Sequence, residues 1–479
     1  MLVMKFGGTS VGDARRVRES ARIALTKSGA NVIVVSACGG VTNLLLEAGN
    51  AAASATAEAR HRAVTAIHAK HSNVLAGLGD ETIRLQTRAA VDHLHASLDA
   101  TLHDIEQAHE FNPQLSDKLV SHGEKIMATM MAATVRDMGT PAEAVFTDTV
   151  LATDGRHGSA RPDKARTRQL AADNVQPLLD AGSTVVCTGF IGCAPDGSTT
   201  TLGRGGSDYS ATLLGAALDA SEVQIWTDVP GMLSADPRKV STARVIPDVT
   251  YDEAQELAHF GAKVLHPRTI RPAVQADIPV RILSTFQPTN AGTVVRPGGQ
   301  SQRIKATTAL KGLTMLTVDV PELEDLAAAS STVFHQLHED RVEIISVQQS
   351  SSRRSMTFIL DTLTSGCDVF VARLNSALED LEVEITCLDN VAVVAAVGEG
   401  AANTPAMLAQ FLAVLSRANV PVLNASQQSS NAAMVVVVPE DDADRAVQVV
   451  HDGLIGSSRA NRRNSNKRRG MINEPYQVG

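Results

Sequence analysis

Along the first part of the chain, short and almost wholly apolar runs alternate with longer stretches of helical periodicity. Residues 2–6, 31–36, 183–191, 222–227 and 279–284 are runs rich in Val and Ile. Continuous apolar character of that kind marks strands buried on both faces of a parallel sheet. Residues 144–149 read as one more strand. Between the strands, residues 13–27, 115–138, 165–179 and 251–258 carry apolar positions at helical spacing, and residues 51–109, rich in Ala, His and Leu, read as two helices. Strand and helix in alternation predict an α/β fold built on an open, mainly parallel sheet with helices on both faces.

Glycine punctuates the strand ends. GGTS (7–10), CGG (38–40) and GRGG (203–206) each precede a helical run. A glycine turn that opens a helix presents unpaired backbone N–H groups and the positive end of a dipole, a seat for phosphate or carboxylate. In residues 199–211 (TTTLGRGGSDYSA), Gly203, Gly205 and Gly206 let the backbone turn or come close to a ligand. Ser207 or Asp208 is the expected N-cap there, with the helix over residues 209–218. Three loops of this kind point to strand ends that converge on one ligand. Lys5 sits within an apolar strand, where an ammonium needs an anionic partner, and Glu124 lies among Ile126, Met127 and Met130, where a carboxylate needs a cation. KFGG is not the P-loop pattern, because its lysine precedes the glycines. The strand over 222–227 ends in TDVPG and places polar groups at the carboxyl edge of the sheet, where nucleotides bind. Lys263 is a second lysine within an apolar stretch.

The texture changes after residue 297. Residues 342–360 (VEIISVQQSSSRRSMTFIL) align with residues 420–438 (VPVLNASQQSSNAAMVVVV) at an offset of 78, which also aligns strand 313–320 with 391–398 and helix 326–337 with 404–415. Each copy runs strand, helix, strand, turn, strand, helix, the order of a ferredoxin-like βαββαβ unit. Two such units after an α/β domain predict a sensor module. The expected boundaries are residues 1–297 for the first domain, 303–388 and 389–456 for the two repeats, and 457–479 for a disordered basic tail.

Composition adds limits. The 479 residues allow two or three domains, and aromatic residues at 3% leave the cores to Ala, Val, Leu and Ile. A net charge of −9 argues against nucleic acid or an anionic membrane as partner, and no apolar run reaches the length of a membrane span. The N-terminus has no signal-peptide pattern. Five cysteines without zinc-like spacing fit free thiols, and the chain reads as cytoplasmic. The histidines at 61, 68, 71, 93, 95, 103 and 109 read as solvated helix faces.

KFGGTS, GGVTN, SHGE (121–124), TGFIG (188–192), LGRGGSDYSA, WTDVPG, ADPR (235–238) and FGAKVLHP (260–267) occur in an order that resembles the aspartate kinases, members of the amino-acid-kinase fold. The repeat resembles their paired ACT regulatory domains. The resemblance implies phosphorylation of the β-carboxylate of L-aspartate by ATP with Mg2+, the first step towards lysine, threonine and methionine. It gives Lys5 the transferred phosphoryl group, with Gly7, Gly8 and Ser10 as donors to phosphate and Asp208 to orient Lys5 or the metal. Arg204 is implied to hold the substrate α-carboxylate and Glu124 its ammonium, in a pocket lined by Thr42, Phe190 and Ser207. Thr227, Asp228, Leu233, Arg238 and Lys263 are implied to take the nucleotide. A homodimer or higher assembly through the ACT units, and an amino-acid effector, follow from the same resemblance. The alternative is a catalytically silent amino-acid sensor of the same fold.

Two departures stand out. Met232-Leu233 follows WTDVPG where the family commonly has an aromatic residue, and residues 320–325 (VPELED) replace a glycine-containing effector turn with an acidic one. The second departure predicts weak or unusual feedback inhibition by lysine or threonine.

Overall fold

The computed structural model describes residues 1–26, 31–262, 267–298, 303–350, 352–363, 365–400, 404–427 and 430–456. Lys263 and the basic tail lie outside them. The chain divides into two compact units: residues 1–232, 245–258 and 263–298 form the first, and residues 233–244, 259–262 and 299–479 the second.

The first unit opens with β1 (Leu2–Phe6), α1 (Ala14–Leu25), β2 (Asn31–Val35) and α2 (Val41–Ala53). Three long helices follow, α3 (Ala57–Ala76), α4 (Glu81–Ala108) and α5 (Pro113–Asp137), then β3 (Ala142–Val145), α6 (Lys164–Asn174) and α7 (Gln176–Asp180). Next come β4 (Thr184–Thr188), the small hairpin β5 (Ile191–Cys193) and β6 (Thr199–Thr201), α8 (Gly206–Ala217) and β7 (Glu222–Thr227). The unit closes with β8 (Asp248–Thr250), α9 (Tyr251–His259), α10 (Pro267–Gln275), β9 (Val280–Ser284) and β10 (Thr293–Arg296).

Eight strands form one sheet in the order β3-β4-β2-β1-β7-β9-β10-β8, with a single antiparallel pair, β9–β10. The five strands from β3 to β7 are parallel neighbours, so β1, β2, β4 and β7 all end on one edge, at Phe6, Val35, Thr188 and Thr227. The side-chain period of two sorts β1 between layers. Met4 and Phe6 join the core formed with α1 to α5, which leaves Val3 and Lys5 on the opposite face, beside α8.

Four expectations are revised by tertiary packing. Strand 183–191 stops at Thr188, because Phe190 takes φ 71° and turns the chain into the β5–β6 hairpin. Residues 165–179 break into α6 and α7, and the strand expected at 144–149 is β3 followed by a 3-10 turn, Thr147–Thr149. The histidine faces are only partly solvated: His61, His93, His103 and His109 are exposed, but His71 is fully buried, with Nδ1 2.9 Å from Nε2 of His95. Burial and the neighbouring rings push the His71 imidazole down to about 3 and that of His95 to about 4, so both are neutral.

The second unit contains β11 (Ala306–Asp319), α11 (Leu323–Glu339), β12 (Ile344–Ser350), β13 (Ser355–Asp361), α12 (Cys367–Ala377), β14 (Glu384–Val397), α13 (Pro405–Arg417), β15 (Asn424–Gln427), β16 (Ala433–Pro439) and α14 (Ala443–Val450). These strands make one six-stranded sheet in the order β12-β13-β11-β14-β16-β15. Both central strands are shared by the two repeats. Residues 313–319 of β11 pair with β13 and with the first half of β14, whereas residues 306–310 pair with the second half of β14. The fourth strand of the second βαββαβ copy is therefore supplied by residues that precede the first. The strands change partner at bulges beside Gly312 and Asn390, which have φ 73° and 58° and stand one repeat apart.

Cys367 and Cys387 are joined in a disulfide between the start of α12 and β14, which corrects the expectation of five free thiols; Cys38, Cys187 and Cys193 remain free.

Candidate active site

The three glycine loops lie at the shared edge of the parallel strands, and the helices they open are left without side-chain caps. Gly40, with φ 83°, precedes α2, and Gly205, with φ 70°, precedes α8; neither helix has a capping side chain. The 3-10 turn Gly8–Val11 behind Gly7 is equally uncapped. Elsewhere in the same unit the side chains of Asp13, Asp80, Asn112 and Asp163 cap α1, α4, α5 and α6. The turns themselves take the N–H groups of Ser10, Val41 and Gly206, and the N–H groups next in line, those of Thr42 and Ser207, are left for something else. Gly205, and not Ser207 or Asp208, stands at the N-cap of α8; Asp208 is carried in its first turn.

That position brings Asp208 to Lys5. The ammonium of Lys5 and the Asp208 carboxylate meet at 2.6 Å, with their side chains only 11% and 17% exposed. The ion pair answers the demand of a lysine in a buried strand. Beside it, a Cβ on Gly7 would meet Lys5 Nζ at 3.4 Å. Gly8 and Gly39 lie so close that a Cβ on Gly39 would meet the Gly8 carbonyl at 3.1 Å, so the first two glycine loops pack on each other. Ser10, expected as a phosphate donor, is buried with its hydroxyl 3.1 Å from that of Thr285.

Glu124 is buried on α5. Its Oε1 accepts the Ala37 N–H at 3.1 Å, and its Oε2 has no hydrogen-bond partner among the described residues. Burial pushes its carboxyl up to about 8, against the pull of the Ala37 N–H. A group in that state is a natural receiver for a cation that arrives with the substrate.

Arg204 projects from the third loop, exposed and without an ion pair among the described residues. Gly189 lets this loop approach the end of β4: a Cβ there would sit 2.6 Å from the Ser207 Cβ. Phe190 is held in its left-handed conformation by two contacts, its N–H donating to Ser210 Oγ at 2.9 Å and its carbonyl accepting the Leu202 N–H at 2.9 Å. Its ring lies where a Cβ on Gly206 would be, at 2.5 Å. Strained backbone of this kind persists where surrounding contacts over-determine it. Thr42 stands half-buried in the first turn of α2.

On the nucleotide side, Thr227 ends β7, and its hydroxyl donates to Asp228 at 3.1 Å. Leu233 and Arg238 belong to the second compact unit, where the Arg238 guanidinium grips Asp236 at 2.7 and 3.0 Å. Lys263 falls outside the described residues.

Sequence reading missed Asp117, Lys125, Asp148, His157 and Thr201. Lys125 pairs with Asp148 at 2.7 Å, and Asp117 is buried under the loop of residues 153–161. Asp117 and Lys125 flank SHGE on one helix, so helical spacing alone could have placed Asp117 on the Glu124 face.

The model of the amino acid kinase family matches residues 1–284, and that of an ACT domain matches residues 394–454. The lysine-sensitive aspartokinase 3 of Escherichia coli is 35% identical over 464 residues, covering 95% of this chain and 99% of that protein. A chloroplastic bifunctional aspartokinase/homoserine dehydrogenase of Arabidopsis thaliana is 31% identical over 94% of this chain, which spans 50% of that longer protein. Among solved structures, E. coli aspartokinase III in complex with aspartate and ADP superposes with a TM-score of 0.79 at 32% identity, covering 95% of this chain and 100% of that one.

Proposed function

This chain belongs to the amino acid kinase family and within it to the aspartokinases, and we propose that the edge built by Lys5, Glu124, Arg204 and Asp208 carries its phosphorylation of L-aspartate by ATP. The observation that carries the reading is the Lys5–Asp208 pair at 2.6 Å, set among three uncapped helix starts.

The chemistry asks little of a base. An aspartate side chain, with a pKa of about 3.9, is already an anion at neutral pH, so no proton has to leave before it attacks phosphorus. The obstacle is repulsion between that anion and a polyphosphate, and catalysis rests on positioning and on screening of charge. Lys5 supplies a fixed cation at the transferred group, and Asp208 fixes its orientation. The Gly8 N–H faces the phosphates, while the Gly7 N–H, expected as a second donor, is taken by the Trp226 carbonyl at 3.2 Å; Thr227 and Asp228 face the rest of the nucleotide. Arg204, with its planar fork, holds the α-carboxylate. Glu124 receives the ammonium, with Thr42, Phe190 and Ser207 around the substrate carbon chain.

Mg2+ screens phosphate charge when bound. In the first unit, no group of three ligating side chains converges among the described residues, and Asp208 is engaged by Lys5. That arrangement fits an ion that takes most of its ligands from the nucleotide and water. In the second unit, the shared sheet and its ACT match support effector control and self-association. The acidic turn of residues 320–325 favours weak inhibition by lysine or threonine.

Hydroxamate trapping with L-aspartate, ATP and Mg2+ tests the reading. Acyl phosphate is expected with aspartate, with far less from glutamate, and loss on chelation. A chain that binds aspartate and forms no acyl phosphate is instead a silent sensor.

A further inference from the structure

We infer that Asp117 is a positioning residue for the substrate-binding loop, an inference that rests on the reading of Arg204 as the ligand of the substrate carboxylate. Asp117 is 2% exposed and lies seven residues before Glu124 on α5. Seven residues make nearly two turns, so the two carboxylates share one face, about 10 Å apart along the axis. Three donors from two separate segments converge on Asp117. Its Oδ1 accepts the Thr201 hydroxyl at 2.5 Å, and its Oδ2 accepts the Gly158 N–H at 2.9 Å and faces His157 Nδ1 at 3.0 Å.

Both segments bear on the glycine loop. Thr201 is the last residue of β6, three before Arg204, and its carbonyl accepts the Ala160 N–H at 2.9 Å. Gly203, at φ 75°, runs so close to the loop of residues 153–161 that a Cβ would meet the Gly158 carbonyl at 3.1 Å. The loop carrying Arg204 is thus set from behind by residues 157–160, and these are held to α5 through one carboxylate. The helix that presents Glu124 to one end of the substrate fixes, through Asp117, the loop that presents Arg204 to the other. Asp117 touches no reacting atom. Its role is the spacing between the two substrate ligands.

Asn at this position keeps the shape but loses the charge: its oxygen can keep the Gly158 N–H and its NH2 can turn to the Thr201 hydroxyl, so charge-assisted hydrogen bonds give way to weaker neutral ones. Asp117→Asn and the near-isosteric Thr201→Val are each expected to raise KM for aspartate about tenfold, and to leave KM for ATP within about twofold of wild type. Thr201→Ser, which keeps the hydroxyl, is expected to behave as wild type. Combined with Arg204→Ala, Asp117→Asn is expected to add little, since both act on one contact. If Arg204→Ala raises KM for aspartate while Asp117→Asn and Thr201→Val do not, the inference is overturned. It is also overturned if both variants impair ATP and aspartate alike. If Arg204→Ala itself leaves KM for aspartate unchanged, the reading of Arg204 fails, and the inference falls with it. Should Asp117→Asn not fold by thermal melting, the Thr201 pair decides.

Discussion

At the scale of single residues, the site is a set of charges taken out of water, each with one debt outstanding. Lys5 has settled its own with Asp208; Glu124 has not. Between the ordinary glutamate pKa of about 4.3 and the raised value of about 8, the folded chain holds a proton that the unfolded chain has lost. Stability therefore falls as pH rises through that window and levels off above about 8. Glu124→Gln cannot ionise, so its melting temperature relative to wild type is expected to climb between pH of about 5 and 8, in melts of ligand-free protein. A pH-independent difference would contradict the buried-acid assignment. The same variant is expected to lose aspartate affinity, because the ammonium has no carboxylate to replace the proton. Lys5→Ala is expected to lower kcat at least about a thousandfold while the far-UV spectrum and melting cooperativity persist. Activity near wild type would remove Lys5 from the chemistry.

Among elements of the first unit, α3 and α7 also lack side-chain caps, so glycine at the N-cap, and not a missing cap alone, marks the helices that open at the strand edge. Asp and Asn side chains close α1, α4, α5 and α6, whereas glycine opens α2 and α8. The geometry of α8 relative to β4 depends on one missing methyl group. A Cβ on Gly189 would press on Ser207 at 2.6 Å from its Cβ and 2.9 Å from its Cα, so yielding means moving the helix start. Gly189→Ala is expected to cut kcat/KM for aspartate by about a hundredfold, the scale of a 1 Å misplacement. The measurement is steady-state kinetics alongside a melt that shows the fold retained. In the second unit, the Cys367–Cys387 disulfide ties a helix start to a central strand across 20 residues of sequence. Cys387→Ser is expected to lower the stability of that unit by about 3 kcal/mol under non-reducing conditions, and by little once both proteins are reduced. Denaturant titrations with and without a thiol reductant check it.

On the scale of the whole molecule, the second unit is one sheet and not two domains in series. Residues 306–310 complete the second repeat although they precede the first. A charge placed there, as in Ala306→Asp at a fully buried position, is expected to open β16 and the second half of β14 to hydrogen exchange while β12 and β13 stay protected. Loss of protection in the first repeat alone would contradict the exchange of strands. Among the described residues, no helix is long and apolar enough to cross a membrane.

The sequence by itself determined the parallel strands, because runs such as NVIVV and EVQIWT have no polar face to offer solvent, and it marked the strand edge, because glycine takes φ 83° before α2 and φ 70° before α8 at little steric cost. It also flagged Lys5 and Glu124, since a charge in an apolar run demands a partner. The apolar pattern alone did not identify those partners, and the resemblance offered Asp208 either to Lys5 or to the metal. That Asp208 answers Lys5, that Glu124 keeps an oxygen free, and that His71 is buried against His95 depend on segments brought together from far along the chain. The repeat was legible as an offset of 78, each copy running strand, helix, strand, turn, strand, helix; the fourth strand of the second copy is not in that run. Only tertiary structure decided where that strand came from, because pairing of β11 with β14 is a long-range hydrogen-bond choice that local periodicity does not encode.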